Sequence, residues 1–207
     1  MTINDTLSSL ERRLLLAVAK YSIIANLQGE PLPHLTALVK EVASPDEIKD
    51  IKSGEVLDLR SGAFVSVYVD GRLRGCIGNF REDQYLWEVV QKMAVHASTQ
   101  DPRFPPIQLS EASTFRCEIS ALTPAMLIKD IEDIKVGRDG LIIEQGYNRG
   151  VLLPQVPVEH QWDRDEFLAQ TCIKAALPYN AWSHPDTKIF RFQAIVFSDR
   201  KSSLVLK

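Results

Sequence analysis

The chain is poor in the residues that announce the commonest chemistries. Of 207 residues, three are cysteine and four histidine. Cys76, Cys117 and Cys172 are odd in number and far apart, which does not read as the disulfide framework of a small secreted protein and points to a reducing, cytoplasmic compartment. His34, His96, His160 and His184 are dispersed, and no CxxC, HxH or HExxH spacing occurs, so neither a metal nor another cofactor is expected. Phosphate-loop and dinucleotide fingerprints are missing, because Gly71, Gly75 and Gly78 follow a hairpin signal instead of opening a helix. No serine sits in a nucleophile-elbow pattern. Long apolar runs are missing too: LLLAVA at 14–19 is far too short to span a bilayer, has Arg13 and Lys20 at its flanks, and lacks the cleavage pattern of a secretory signal. A formal charge of −3 supplies no overall basic field for nucleic acid or an anionic membrane.

What is present is an ordinary globular balance, with 45% hydrophobic and 25% charged residues. The length allows one large domain or two unequal subdomains around a shared core. No repeat, low-complexity stretch or flexible linker separates halves of the chain, so any two lobes are interwoven. From Asp5 to about Gln28, Leu7, Leu10, Leu14, Leu15 and Val18 recur at helical spacing, with Asp5 as N-cap and Gly29 and Pro31 as the stop. This predicts a long amphipathic helix packed on a sheet. SPDE at 44–47 starts a short helix. AFVSVYV then changes the period to two, and Asp70-Gly71 predicts a tight hairpin into RLRGCIGNF. Further on, 85–97 reads as a helix with Leu86, Val90, Met93 and Ala97 inward, 99–106 as a stiff proline-rich loop, and 115–122 as a strand burying Cys117. A second hairpin is expected at 140–156 around Gly-Tyr-Asn-Arg-Gly, a helix at 162–177 capped by Asp163 and burying Cys172, and one final strand at 189–197.

Cys76 poses the chemical question. Strict alternation from Arg72 places Leu73, Gly75 and Ile77 on one face and Arg72, Arg74 and Cys76 on the other. A free thiol is only ~3% ionised at neutral pH, so its surroundings must activate it. Arg74, roughly 7 Å away on strand geometry, supplies ~0.6 kcal/mol of Coulomb attraction in water and ~2.4 kcal/mol at an effective dielectric of 20. Cys76 is therefore either a thiol with a chemical role in a partly desolvated cleft or a packed or substrate-lining residue. Gly75 and Gly78 read either as a pocket wall or as a tightly packed crossing.

Asp101 and Arg103 either pair and anchor the proline-rich loop, or Arg103 reaches an anionic substrate with its guanidinium fork. Glu118 is an orienting carboxylate, a base, or a plain solvent-facing strand residue. His96 falls about a quarter-turn off the inward stripe of its helix, where it either assists a thiol or is simply solvated or hydrogen-bonded. Arg72, Arg74 and Arg81 form a local basic cluster, the one feature that favours nucleic acid.

The motif LRGCIG at 73–78, with GAFVSV at 62–67, DPRFPP at 101–106, EISALTP at 118–124, LLPQV at 152–156, WDRDEFL at 162–168 and CIKAALP at 172–178, resembles the AMMECR-type domain, known in prokaryotes as AmmeMemoRadiSam system protein A. The matching motifs cover about residues 60–182 and mark 1–207 as a single domain of that type. Ala176 stands where the family pattern commonly has glycine, which implies a changed helix packing. The resemblance implies an α+β fold of two unequal, interwoven subdomains with mainly antiparallel sheets and flanking helices, and it puts the hexapeptide near a cleft between them. It also implies a Memo-like protein and a radical SAM protein as partners, without a reaction. The expected function is an intracellular enzyme or enzyme subunit binding an anionic small molecule, with Cys76 as nucleophile or carrier, Arg74, Gly75, Gly78, Asp101 and Arg103 at the substrate and Glu118 orienting. The alternatives are a non-catalytic adaptor for those partners and, least favoured, a nucleic-acid-binding protein.

Overall fold

Local signals account for the ends of the elements in this computed structural model, which describes residues 7–50 and 58–199. The first helix, α1 (Ser9–Gln28), begins at a capping box in which the Ser8 hydroxyl accepts from the Glu11 amide and the Glu11 carboxylate accepts from the Ser8 amide. Asp5, the expected cap, lies outside the described residues; the helix starts four residues later. Gly29 closes it at φ 72°, donating back to Ala25 and Asn26. A short α2 (Leu35–Val42), for which the sequence pattern was indistinct, precedes α3 (Pro45–Asp50), whose Ser44 and Glu47 form a second capping box.

The chain divides into two compact units, Met1–Ala121 with Ile195–Lys207, and Leu122–Ala194. The first contains a four-stranded sheet in the order β2-β1-β3-β8, built from β1 (Ala63–Val69), β2 (Arg72–Asn79), β3 (Phe115–Leu122) and β8 (Ala194–Ser198). Both β2 and β3 run antiparallel to β1. Asp70 and Gly71, at φ 50° and 77°, make the tight turn between β1 and β2. Val65, Val67, Cys117 and Ile119 point to the core face, which α4 (Leu86–Thr99) covers with Leu86, Val90, Met93 and Ala97, all buried. The neighbour with which α1 packs most is α4; it reaches the sheet through side chains, with Lys20 near Phe115 and Arg12 near Phe197. As expected, α1 packs on the sheet, sharing its core with Phe115, Cys117 and Ile195, and it also packs along α4.

The second unit contains β4 (Met126–Leu127), β5 (Gly140–Gln145), β6 (Asn148–Leu152) and β7 (Lys188–Phe192) in the order β4-β7-β5-β6, with α5 (Gln155–Glu159) and α6 (Arg164–Lys174). Its core gathers Leu141, Ile143, Phe167, Leu168, Cys172 and Ile189. Neither β4 nor α5 was legible in the sequence. The second hairpin turns at Gly146 and Tyr147 alone, and β6 begins at Asn148, so the five-residue turn expected there is too long. The single strand expected at 189–197 is two, because the chain leaves one sheet and joins the other at Gln193. There Gln193 and Thr123 exchange hydrogen bonds, the Gln193 amide donating to the Thr123 hydroxyl and the Thr123 amide to the Gln193 carbonyl, each 2.8 Å. The fold is α+β, with two antiparallel sheets and flanking helices, and the second unit is inserted before the last strand of the first.

Candidate functional site

A β-bulge decides how the hexapeptide is presented. Gly75 pairs with Val67, but Tyr68 pairs with Leu73, so Arg74 is the extra residue and the alternation reverses across it. Leu73, expected opposite Cys76, shares its face, while Arg72 falls to the other. The expected face holding Cys76 with two arginines does not exist. On the outer, half-exposed face the registers instead create three cross-strand rows: Leu73, Tyr68 and Arg116; Cys76, Ser66 and Glu118; Gly78, Phe64 and Ser120.

Within the middle row the Ser66 hydroxyl donates to Cys76 Sγ at 3.1 Å. Sequence reasoning missed Ser66; its only signal was a hydroxyl between Phe64 and Tyr68 on one face of an otherwise apolar strand. Tyr68 donates to Glu118 Oε1 at 3.5 Å, fixing the carboxylate at the far end of the row. α4, and with it His96, covers the opposite face of the sheet, so His96 does not meet the thiol. Burial pushes the Cys117 thiol well up and also raises that of Cys172, which leaves half-buried Cys76 as the accessible one.

β2 is an edge strand, and the proline-rich loop caps its edge at Cys76. The Cys76 amide donates to Asp101 Oδ2 at 2.9 Å, and Arg103 Nη2 donates to the Cys76 carbonyl at 3.0 Å. Asp101 and Arg103 also bond each other through Nε at 2.9 Å and Nη2 at 2.7 Å. The anchoring pair expected of them is therefore present. The Asp101 side chain is 1% exposed and that of Arg103 57%. Arg103, then the backbone amides of Cys76 and Arg103, hold the Asp101 carboxyl well below the usual carboxylate range. The Arg103 guanidinium is in turn held charged, by Asp101 first, with the Cys76 thiol among the smaller contributors. Nη1 of Arg103 has no hydrogen-bond partner among the described residues.

Arg74 turns to the loop, where it pairs with Glu111 and donates to the Pro105 carbonyl at 3.3 Å. The Glu111 carboxyl is held low by the Gln108 amide and then by Arg74. Arg81 closes a fork on Asp83, at 2.9 and 2.6 Å. Two of the three cations of the basic cluster are thus neutralised locally, which weakens the case for a nucleic-acid surface. Gly75 faces α4 so closely that a Cβ would collide with the Ala97 carbonyl, and Gly78 lies beneath the Phe64 ring. Both glycines have packing reasons within the protein. Among the described residues no group of three or more His, Cys, Asp or Glu could hold a metal ion, and no helix is long and apolar enough to cross a membrane.

The fold and this motif-bearing face define an α+β protein of two antiparallel sheets whose edge hairpin carries a clamped cysteine. The AMMECR1 family model matches residues 17–197, and the chain belongs to that family. It is 47% identical over 153 residues to Protein MJ0810 of Methanocaldococcus jannaschii, covering 70% of this chain and 76% of that one. A protein of Methanothermobacter thermautotrophicus is 39% identical over 199 residues, 93% of this chain and 96% of its own length. The crystal structure of the uncharacterized protein PH0010 from Pyrococcus horikoshii is similar, with a TM-score of 0.69, 36% identity and 93% of each chain covered.

Proposed function

We propose that the outer face of β1, β2 and β3 binds an anionic small molecule and that Cys76 accepts a group from it. The carrying observation is the half-buried sulfur that accepts from Ser66 while Arg103, bonded to the carbonyl of the same residue, stands beside it. Arg103 Nη1 receives the anion; Asp101 holds that guanidinium in place, and Arg74, tied to Glu111, holds the bulge. Gly75 and Gly78 let the strand sit where the ligand meets it, and Glu118 orients the ligand from β3. In the covalent step the Cys76 sulfur adds to an electrophilic acyl carbon, the bond from that carbon to its leaving group breaks, and the thiol proton departs with that group. The acyl group remains as a thioester until an acceptor nucleophile takes it and returns a proton to sulfur. The protein is on this reading an intracellular enzyme or enzyme subunit, with the Memo-like and radical SAM proteins implied by its family resemblance as partners.

Alkylation tests this directly, since Cys117 and Cys172 are buried. Cys76 is expected to prefer anionic iodoacetate over neutral iodoacetamide by about threefold or more relative to glutathione, with the preference falling in Arg103→Lys, which keeps the charge and loses the fork. A ratio equal to that of glutathione removes the anion site. The adaptor reading is favoured by one observation: Gly75, Gly78 and the Asp101–Arg103 clamp have structural reasons without any chemistry. Under it, the native protein carries no adduct at Cys76 by mass spectrometry, and Cys76→Ser still co-purifies with its partners.

A further inference from the structure

We infer that the ligand of this face is a zwitterion of about tripeptide length, with its carboxylate at Arg103 and its ammonium at Glu118. The inference rests on the reading of the face as a ligand site and names the class of ligand. Its first support is the order of charges along one row. Arg103 stands outside the β2 edge at Cys76, Ser66 occupies the centre, and Glu118 ends the row on β3. Among the described residues Glu118 forms no ion pair; its contact is the Tyr68 hydroxyl, a neutral donor that aims the carboxylate and leaves its charge in place. Arg116, two residues along β3 on the same face, is itself engaged.

The second support is charge compensation. Asp101 offsets part of the charge of Arg103 and Glu111 part of that of Arg74, so a simple anion arriving at β2 meets a weakened positive field. Nη1 still offers hydrogen bonds, but the remaining electrostatic attraction on the row lies at Glu118. A ligand carrying both charges uses both ends, whereas an anion uses one. The third support is shape. Phe64 and Tyr68 flank Ser66 on β1, and Phe64 is steadied by an edge-on contact with Phe80 at 5.1 Å between ring centroids. Both rings stand on the face that carries the thiol, one on either side of its row. From the β2 edge, where Arg103 is bonded, to β3 is two strand spacings, about 10 Å, so a ligand reaching from Arg103 to Glu118 spans at least about three extended residues.

The probes are triglycine, its N-acetyl form and its C-terminal amide, tested as protectants of Cys76 against iodoacetamide in the full chain. Triglycine is expected to protect, and each capped form to need about three- to fivefold more for the same protection, the worth of one exposed charge pair. In Glu118→Gln the acetylated form should match triglycine while the amide stays weaker; unreactive Cys117 and Cys172 report that the variant is folded. Equal protection by triglycine and both capped forms, or none by any, overturns the zwitterion. The iodoacetate preference separates the two readings: if it persists while the capped forms protect equally, the zwitterion falls alone; if it is absent, the anion site falls with it.

Discussion

The two hairpins, β1–β2 and β5–β6, use the same packing device and differ in what they present. Each has a glycine in its second strand against a helix: Gly75 faces the Ala97 carbonyl of α4, and Gly150 faces the Thr171 carbonyl and Ala175 amide of α6. β5 and β6 stay in unbroken register from Leu141↔Leu152 to Gln145↔Asn148, whereas β2 slips by one residue at Arg74. Their turns differ as well, with positive φ at both Asp70 and Gly71 but only at Gly146 in the second. Gly75 and Gly150 thus each report a helix pressing on the backbone of a strand, whereas Gly78 and Gly140 lie against phenylalanine rings. The bulge and the clamped edge, which only the first hairpin has, are what bring a thiol to an accessible face.

Substituting the two glycines tests that comparison most severely. Gly75→Ala and Gly150→Ala should each cost about 3 kcal/mol in urea unfolding, because both methyl groups would meet helix backbone that cannot swing aside. Gly71→Ala, with open space but φ 77°, should cost about 1 kcal/mol. Equal effects at Gly71 and Gly75 would break the helix-contact reading.

Asp101→Asn comes next, since it unties the edge clamp that the second hairpin lacks. It should cost about 2 kcal/mol near neutral pH, the scale of lost hydrogen bonds to a charged group. The folded Asp101 carboxyl is depressed, so its contribution is fully present above its unfolded pKa of about 4 and is lost as pH falls toward the folded value. Acid unfolding of the variant should accordingly be less steep below about pH 4; an unchanged acid limb would show that the clamp contributes nothing.

The smallest effect lies in the second unit. Ala176 sits at φ 56° in the turn after α6, where its amide donates to Ile173 and that of Leu177 to Cys172, the pattern that glycine normally completes. The departure from the family pattern is therefore a backbone strain at the helix end. Ala176→Gly should raise stability by about 0.5–1 kcal/mol, visible as a higher urea midpoint with unchanged slope.

Much of this was legible because it is local. The Ser44 and Asp163 caps, the Asp70-Gly71 turn, the buried stripe of α4 and the burial of Cys117 and Cys172 follow from spacing within a few residues. The Asp101–Arg103 pair was legible as one of two readings, while Ser66 escaped because nothing local distinguishes its hydroxyl from any other on a strand. The continuous apolar pattern of IFRFQAIVF hid the change of sheet at Gln193, which depends on Thr123 some seventy residues earlier.

By itself the sequence determined most of the element types, most of the core and the family, since periodicity, caps and motif order are written in neighbouring residues. Tertiary structure alone decided which side of β2 the Cys76 thiol faces, what covers its edge and which carboxylates neutralise its arginines. The physical reason is that a strand's register, its bulges and its edge partners are set by hydrogen bonds to segments distant in the chain, and one slipped residue reverses every face beyond it.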